Sequence, residues 1–97
     1  MSIMDLDAFQ ASVKRDKPPE TAGLPLQALW HAAKGEWESA HKIVHDDKTE
    51  LGAWVHAYLH RVEGDLSNAD YWYMKAGRSQ ASNSLQKEWR EIATALL

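Results

Sequence analysis

The stretch Ala28-Leu29-Trp30-His31-Ala32-Ala33-Lys34-Gly35-Glu36-Trp37-Glu38-Ser39-Ala40 aligns with Ala57-Tyr58-Leu59-His60-Arg61-Val62-Glu63-Gly64-Asp65-Leu66-Ser67-Asn68-Ala69. The shared pattern is Ala-x-x-His-x-x-x-Gly-acid-apolar-x-x-Ala, repeated at an offset of about 29 residues. Repeats with periods of about 20 to 50 residues are the signature of stacked supersecondary units, each unable to bury its apolar face alone. Gly35 and Gly64 fall where a helix has to turn, because glycine takes up a left-handed backbone without steric cost.

Outward from this repeat, the chain punctuates itself into helices. Pro25 suits a first helical turn, and Leu26, Leu29, Trp30 and Ala33 then form one face down to Gly35. Trp37, Ala40 and Val44 mark the next helix, with Glu36 and Glu38 near its positive end. Asp46 to Thr49 breaks the pattern, and Asp47 or Thr49 is the candidate cap for the helix after it. From Leu51 to Val62 apolar residues stand at 51, 54, 55, 58, 59 and 62, too wide a face for a surface helix. This segment is expected to be the central, most buried one. Ser67 with Asp70 has capping-box spacing, and Ala69, Trp72, Tyr73 and Ala76 lead to Gly77 as a C-terminal cap.

At the N-terminal side, Ser2 and Asp5 also have capping-box spacing, ahead of Leu6, Phe9 and Val13. That helix has to stop before Pro18-Pro19. After the polar stretch 78–82, Leu85, Trp89, Ile92, Ala93 and Leu96 keep helical period. No segment alternates like a strand, so the fold class is all-α. The 97 residues are expected to form one domain, with an N-terminal helix and loop over 1–24, the repeats over 25–78 and a C-terminal helix over 79–97.

Composition narrows the function classes. A net charge of −3 with interspersed signs offers no footprint for nucleic acid or an anionic membrane. The absence of cysteine removes any disulfide framework. Met1 to Asp7 carries acids where a signal peptide needs lysines and an apolar run, which predicts a cytoplasmic protein. Five tryptophans in so short a chain mean either a core of large side chains or an aromatic binding surface.

Gly35-x-Trp37-x-x-Ala40-x-x-x-Val44 and Gly64-x-Leu66-x-x-Ala69-x-x-x-Tyr73-x-x-Ala76 resemble the second half of a tetratricopeptide repeat. The run Ala69-Asp70-Tyr71-Trp72-Tyr73-Met74-Lys75-Ala76-Gly77 is closer still to the Sel-type relatives of that family. The resemblance covers about residues 25 to 78, and its second copy is the better one. It departs from the family in a trimmed offset and in having two copies, where about three are normally needed. The whole chain further resembles a group of small bacterial proteins, a likeness that brings no activity with it. The resemblance implies two tetratricopeptide-like hairpins flanked by N- and C-terminal capping helices, about five helices in all, acting as a protein–protein interaction module without a cofactor.

Residue type and spacing single out the candidate sites. Leu51, Trp54, Tyr58 and Arg61 form one stripe of the central helix, and the resemblance places that stripe in a groove that receives a peptide. Aromatics with arginine dominate interface hot spots because they bury much area while keeping a polar tip. Covered by a flanking helix, the same stripe is core. Tyr71, Trp72 and Tyr73 point about 100° apart, so they cannot share one buried face. Tyr73 aligns with the core, which leaves Tyr71 or Trp72 for a surface, such as a contact with a second copy of the chain.

The histidines carry the competing expectation. His41 with His45, and His56 with His60, are i,i+4 pairs, and Glu63 stands a turn beyond His60. Two imidazoles on one helical face are how helices present ligands to zinc. This is the basis of the alternative reading, a metal-dependent or histidine-based enzyme centred on His56, His60 and Glu63; a structural homodimer is the third. Against metal binding, the resemblance puts His31 and His60 in the same packed slot, where an imidazole simply bonds its neighbours. The sequence holds no complete zinc signature, activated serine motif or phosphate-binding glycine loop, so the primary reading has no metal and no catalytic residue.

Overall fold

Caps set where the helices begin. In the computed structural model, which describes residues 4–97, Asp5 accepts a hydrogen bond from the Ala8 amide at 2.8 Å and opens α1, Leu6–Ser12. Ser2 lies outside the described residues, and Asp5 is itself the cap rather than the reciprocal acid of a box. Helix α2, Leu24–Ala33, starts with Pro25 in its first turn, and α3 spans Trp37–Val44. Thr49 caps α4, Glu50–Val62, by accepting from the Gly52 amide at 3.0 Å. Asp47 supports that cap by accepting from both the amide and the hydroxyl of Thr49. Ser84 caps α6, Leu85–Leu96.

The start of α5, Leu66–Lys75, corrects the sequence expectation. Asp65, not Ser67, is the cap, accepting from the Asn68 amide at 3.2 Å. The reason is the turn just before it. The Asp65 amide donates to the His60 carbonyl at 2.9 Å, and that bond sets its carboxylate over the new helix end. Among the described residues there are six helices, one more than expected, and no strand.

Both glycine turns have the same physical form. Gly35 has φ of 79° and Gly64 of 84°, conformations in which a side chain is strained. The residue after each glycine donates its amide to the carbonyl of the repeat histidine, Glu36 to His31 at 3.0 Å and Asp65 to His60 at 2.9 Å. Each glycine donates to the carbonyl one residue further on, Ala32 or Arg61. These are Schellman terminations, and they satisfy carbonyls that a helix end otherwise leaves bare. The histidine of the repeat is thus the residue whose carbonyl closes the turn.

Helix α2 packs on α3 and α4 packs on α5. The repeat alanines Ala28, Ala40, Ala57 and Ala69 have no exposed surface, so backbones approach closely there. Ala33, expected on the buried face of α2, is exposed because the helix ends there and the chain turns away. Helix α4 touches α2, α3, α5 and α6, and every residue from Gly52 to His60 is buried. It is the central element that its wide apolar pattern predicts.

Tryptophans tie the helices together. Trp30 donates its indole N–H to the Ser12 carbonyl, joining α2 to α1. Trp89 donates to the Leu29 carbonyl at 2.8 Å, joining α6 to α2, while its ring stacks on Phe9. Trp37 donates to the Leu59 carbonyl at 2.6 Å, joining α3 to α4. The radius of gyration, 12.5 Å, is that of a globular chain of this length. No helix among the described residues is long and apolar enough to cross a membrane.

Because Ala69 has no exposed surface and lies on α5 where it packs on α4, the variant Ala69→Leu is expected to lose roughly 1–3 kcal/mol of stability through overpacking. In a domain of this size each kcal/mol lowers Tm by about 4–8 °C. A melting temperature equal to the parent's would contradict the close α4–α5 approach.

Candidate functional site

At about 100° per residue, α4 sends Trp54, Tyr58 and Arg61 to one side and His56 and His60 to the other. The two sides meet different partners.

The first side is not an open groove. Trp54 is 6 % and Tyr58 7 % exposed, because α6 and the loop before it lie across them. Their cover is centred on Glu88, a fully enclosed carboxylate of α6. Trp54 donates its indole N–H to Glu88 at 3.2 Å, Arg61 pairs with it at 2.9 Å, and the Tyr73 hydroxyl sits 2.6 and 2.8 Å from its two oxygens. Arg61 also donates to the Asn83 carbonyl, and the Arg78 guanidinium lies 3.3 Å above the Trp54 ring. Burial, with the Glu88 charge next, raises the Tyr58 hydroxyl to about 12. Tyr73 is raised as well, by burial and by its bond to Glu88. Both phenols therefore stay neutral, and the stripe is core. Leu51, at its end, is exposed.

Glu88 is not among the sequence candidates, although a signal for it is there. It stands three residues after Leu85 and four before Ile92, on the apolar stripe of α6. An acid in that register has to find partners inside the fold or disrupt it.

The second side gathers imidazoles. His41 of α3 and His56 of α4 face each other with Nε2 atoms 3.1 Å apart. One ring nitrogen from each of His41, His56 and His60 lies within 4.8 Å of the other two. His60 turns its Nδ1 to the Glu63 carboxylate at 2.7 Å. His45, the remaining predicted member, is exposed and bonds Asp46 at 3.2 Å. The structure thus joins the two His pairs through three of their four rings.

Tryptophans flank this cluster. The Trp72 indole lies flat on His56 at 3.8 Å between ring centroids, and Trp37 lies on His41 at 4.7 Å. Trp72 is half-buried by that stack, and Tyr71 meets it edge-on while remaining exposed. Outside the cluster, a surface cleft of about 490 Å³ runs along Trp37, His41 and His45. His31 stands apart, paired with Glu36 at 2.7 Å.

Burial, and then the neighbouring imidazoles, lower the His56 pKa to about 4; the same causes lower that of His41. Both rings are therefore neutral near pH 7 and carry lone pairs, which suits them to accept a metal ion but not to hold an anion. His56 Nδ1 is buried without a hydrogen-bond partner, so the ring is positioned by its stack and by what meets Nε2. No family model, curated protein or solved structure matches the chain.

A depressed histidine pKa has a definite pH consequence. Between about 6.5 and about 4 the unfolded chain takes up a proton that folded His56 does not, so its contribution is complete above that window and is lost as pH falls through it. Thermal stability is expected to drop from pH 7 to pH 5, with a slope of at most about 1.4 kcal/mol per pH unit per histidine. A folded His56→Gln variant should show a shallower drop; identical slopes would contradict a neutral buried His56.

Proposed function

We propose that the chain is a small helical-repeat scaffold that binds another polypeptide through the outer face of α5. In this reading α2–α3 and α4–α5 are two copies of one tetratricopeptide-like hairpin, with α1 and α6 as caps. The matching glycine turns and the buried alanines of both hairpins support it. The binding surface is not the expected one. Trp54 and Arg61 are spent on Glu88 and Tyr58 is buried, so recognition moves to the side of the second hairpin that carries Tyr71 and Trp72.

The observation that carries this reading is an exposed apolar pair on α5, Tyr71 and Met74. Tyr71 is 47 % and Met74 68 % exposed, three residues apart on the side of α5 turned away from Ala69 and Tyr73. Grouped apolar side chains on a surface mark contact sites more often than scattered ones. Methionine adapts its shape to a partner, and tyrosine contributes area with a polar tip. The occupant that fits is a peptide segment presenting an apolar face, laid along the helix.

Selection of displayed peptides against the purified chain tests this. Enriched sequences should carry spaced apolar residues, and synthetic copies should bind at least tenfold more weakly to a Tyr71→Ser, Met74→Ser double variant. Both substituted positions are exposed, so helical content should stay at the parent level. No enrichment, or equal affinity for the double variant, would overturn the reading.

A further inference from the structure

The histidine cluster is left without a role by peptide binding at α5. We infer that His41, His56 and His60 form a binding site for a divalent d-block cation of the zinc type, with water in the fourth position. The inference is independent of the α5 reading, and four features of the cluster carry it.

The first is distance. Imidazole nitrogens bound to zinc lie about 2.0–2.1 Å from the metal, so in tetrahedral geometry they stand roughly 3.3–3.4 Å from one another. The His41 and His56 Nε2 atoms are at 3.1 Å, already at that spacing. The third nitrogen lies within 4.8 Å of the other two.

The second feature is the support behind the ligands. Glu63 holds Nδ1 of His60 at 2.7 Å, which places the proton there and leaves the Nε2 lone pair for a metal. A carboxylate behind a ligating imidazole also raises its basicity. Trp72 and Trp37 lie flat on His56 and His41, each at 11° to the imidazole plane, and fix how those rings are aimed.

The third is the scaffold. His56 and His60 sit one turn apart on the most buried helix, and His56 is only 2 % exposed. His41 comes from the neighbouring helix α3, so a bound ion would cross-link α3 to α4. The last is access. His41 opens onto the cleft along Trp37, Lys42 and His45, which provides an entry path and room for an exchangeable fourth ligand. His45 lies outside the three-nitrogen group and is engaged by Asp46, so it is not counted as a ligand. An all-imidazole set suits zinc, cobalt, nickel and copper and disfavours magnesium or calcium, which want oxygen.

Calorimetric titration of the full chain, purified without a polyhistidine tag, tests the site with Zn²⁺ as the probe. The expected result is one Zn²⁺ per chain with a Kd of 10 μM or tighter, and no heat of binding with Mg²⁺. His41→Gln and His56→Gln should each weaken Zn²⁺ binding at least tenfold, and His31→Gln and His45→Gln by less than threefold. His41 is only half-buried, so its variant keeps the test valid if His56→Gln fails to fold. Co²⁺ gives a second readout. It should quench the fluorescence of the parent with the same stoichiometry, and the quenching should shrink in a Trp37→Phe, Trp72→Phe variant, since those two rings touch the ligands. Absence of Zn²⁺ binding up to 1 mM would overturn the inference. So would binding that survives His41→Gln, which would instead place the ion among His60, Glu63 and Asp65.

Discussion

The burial of α4 is the constraint on which the rest of this structure depends. A helix with every residue from Gly52 to His60 out of water needs neighbours on all sides, and α2, α3, α5 and α6 supply them. The helix is not wholly apolar, however. It carries an indole N–H, a phenol and two imidazoles into the interior, and each polar group costs stability unless it finds a partner there. Those partners dictate what the surrounding helices present.

On one side the answer is Glu88. A buried carboxylate is costly to desolvate, and here Arg61, Tyr73 and Trp54 offset that cost by converging on it from two helices. The cluster sets the position of α6 against the second hairpin and closes what would otherwise be an aromatic groove. Loss of Arg61 would leave the Glu88 carboxylate a buried charge without its counter-charge. On the other side no carboxylate intrudes between the rings. His41, His56 and His60 meet one another, with aromatic walls from Trp37 and Trp72 and a single acid, Glu63, at the edge. A burial requirement met by charge pairing on one face is thus met by clustered imidazoles on the other.

Much of the fold is legible in the sequence because its signals are local. Gly35 and Gly64 mark turns through their own backbone freedom, Thr49 is a cap by its own side chain, and the wide apolar pattern of α4 marks its centrality. The misplaced start of α5 is equally local: Ser67 and Asp70 have capping spacing, but Asp65 lies closer to the glycine turn and takes the position first. The candidate sites are less legible because they depend on long-range docking. Whether Trp54 and Tyr58 face water is decided by α6, about thirty residues further along, and by an acid whose importance shows only once its three partners are in place. The histidine pairs are visible as two separate i,i+4 patterns. That three rings of the four converge is a consequence of how α3 packs on α4, which periodicity does not encode.

The most direct measurement of the α4 constraint is native-state hydrogen exchange, residue by residue. Amides from Val55 to His60 should exchange only through global unfolding and report the full stability of the chain, whereas those of α1, packed at the periphery, should exchange through smaller openings. Denaturant should therefore accelerate the α4 amides with the slope of complete unfolding. Exchange of α4 as fast as that of α1, or with little dependence on denaturant, would contradict a fold organised around a sheathed central helix.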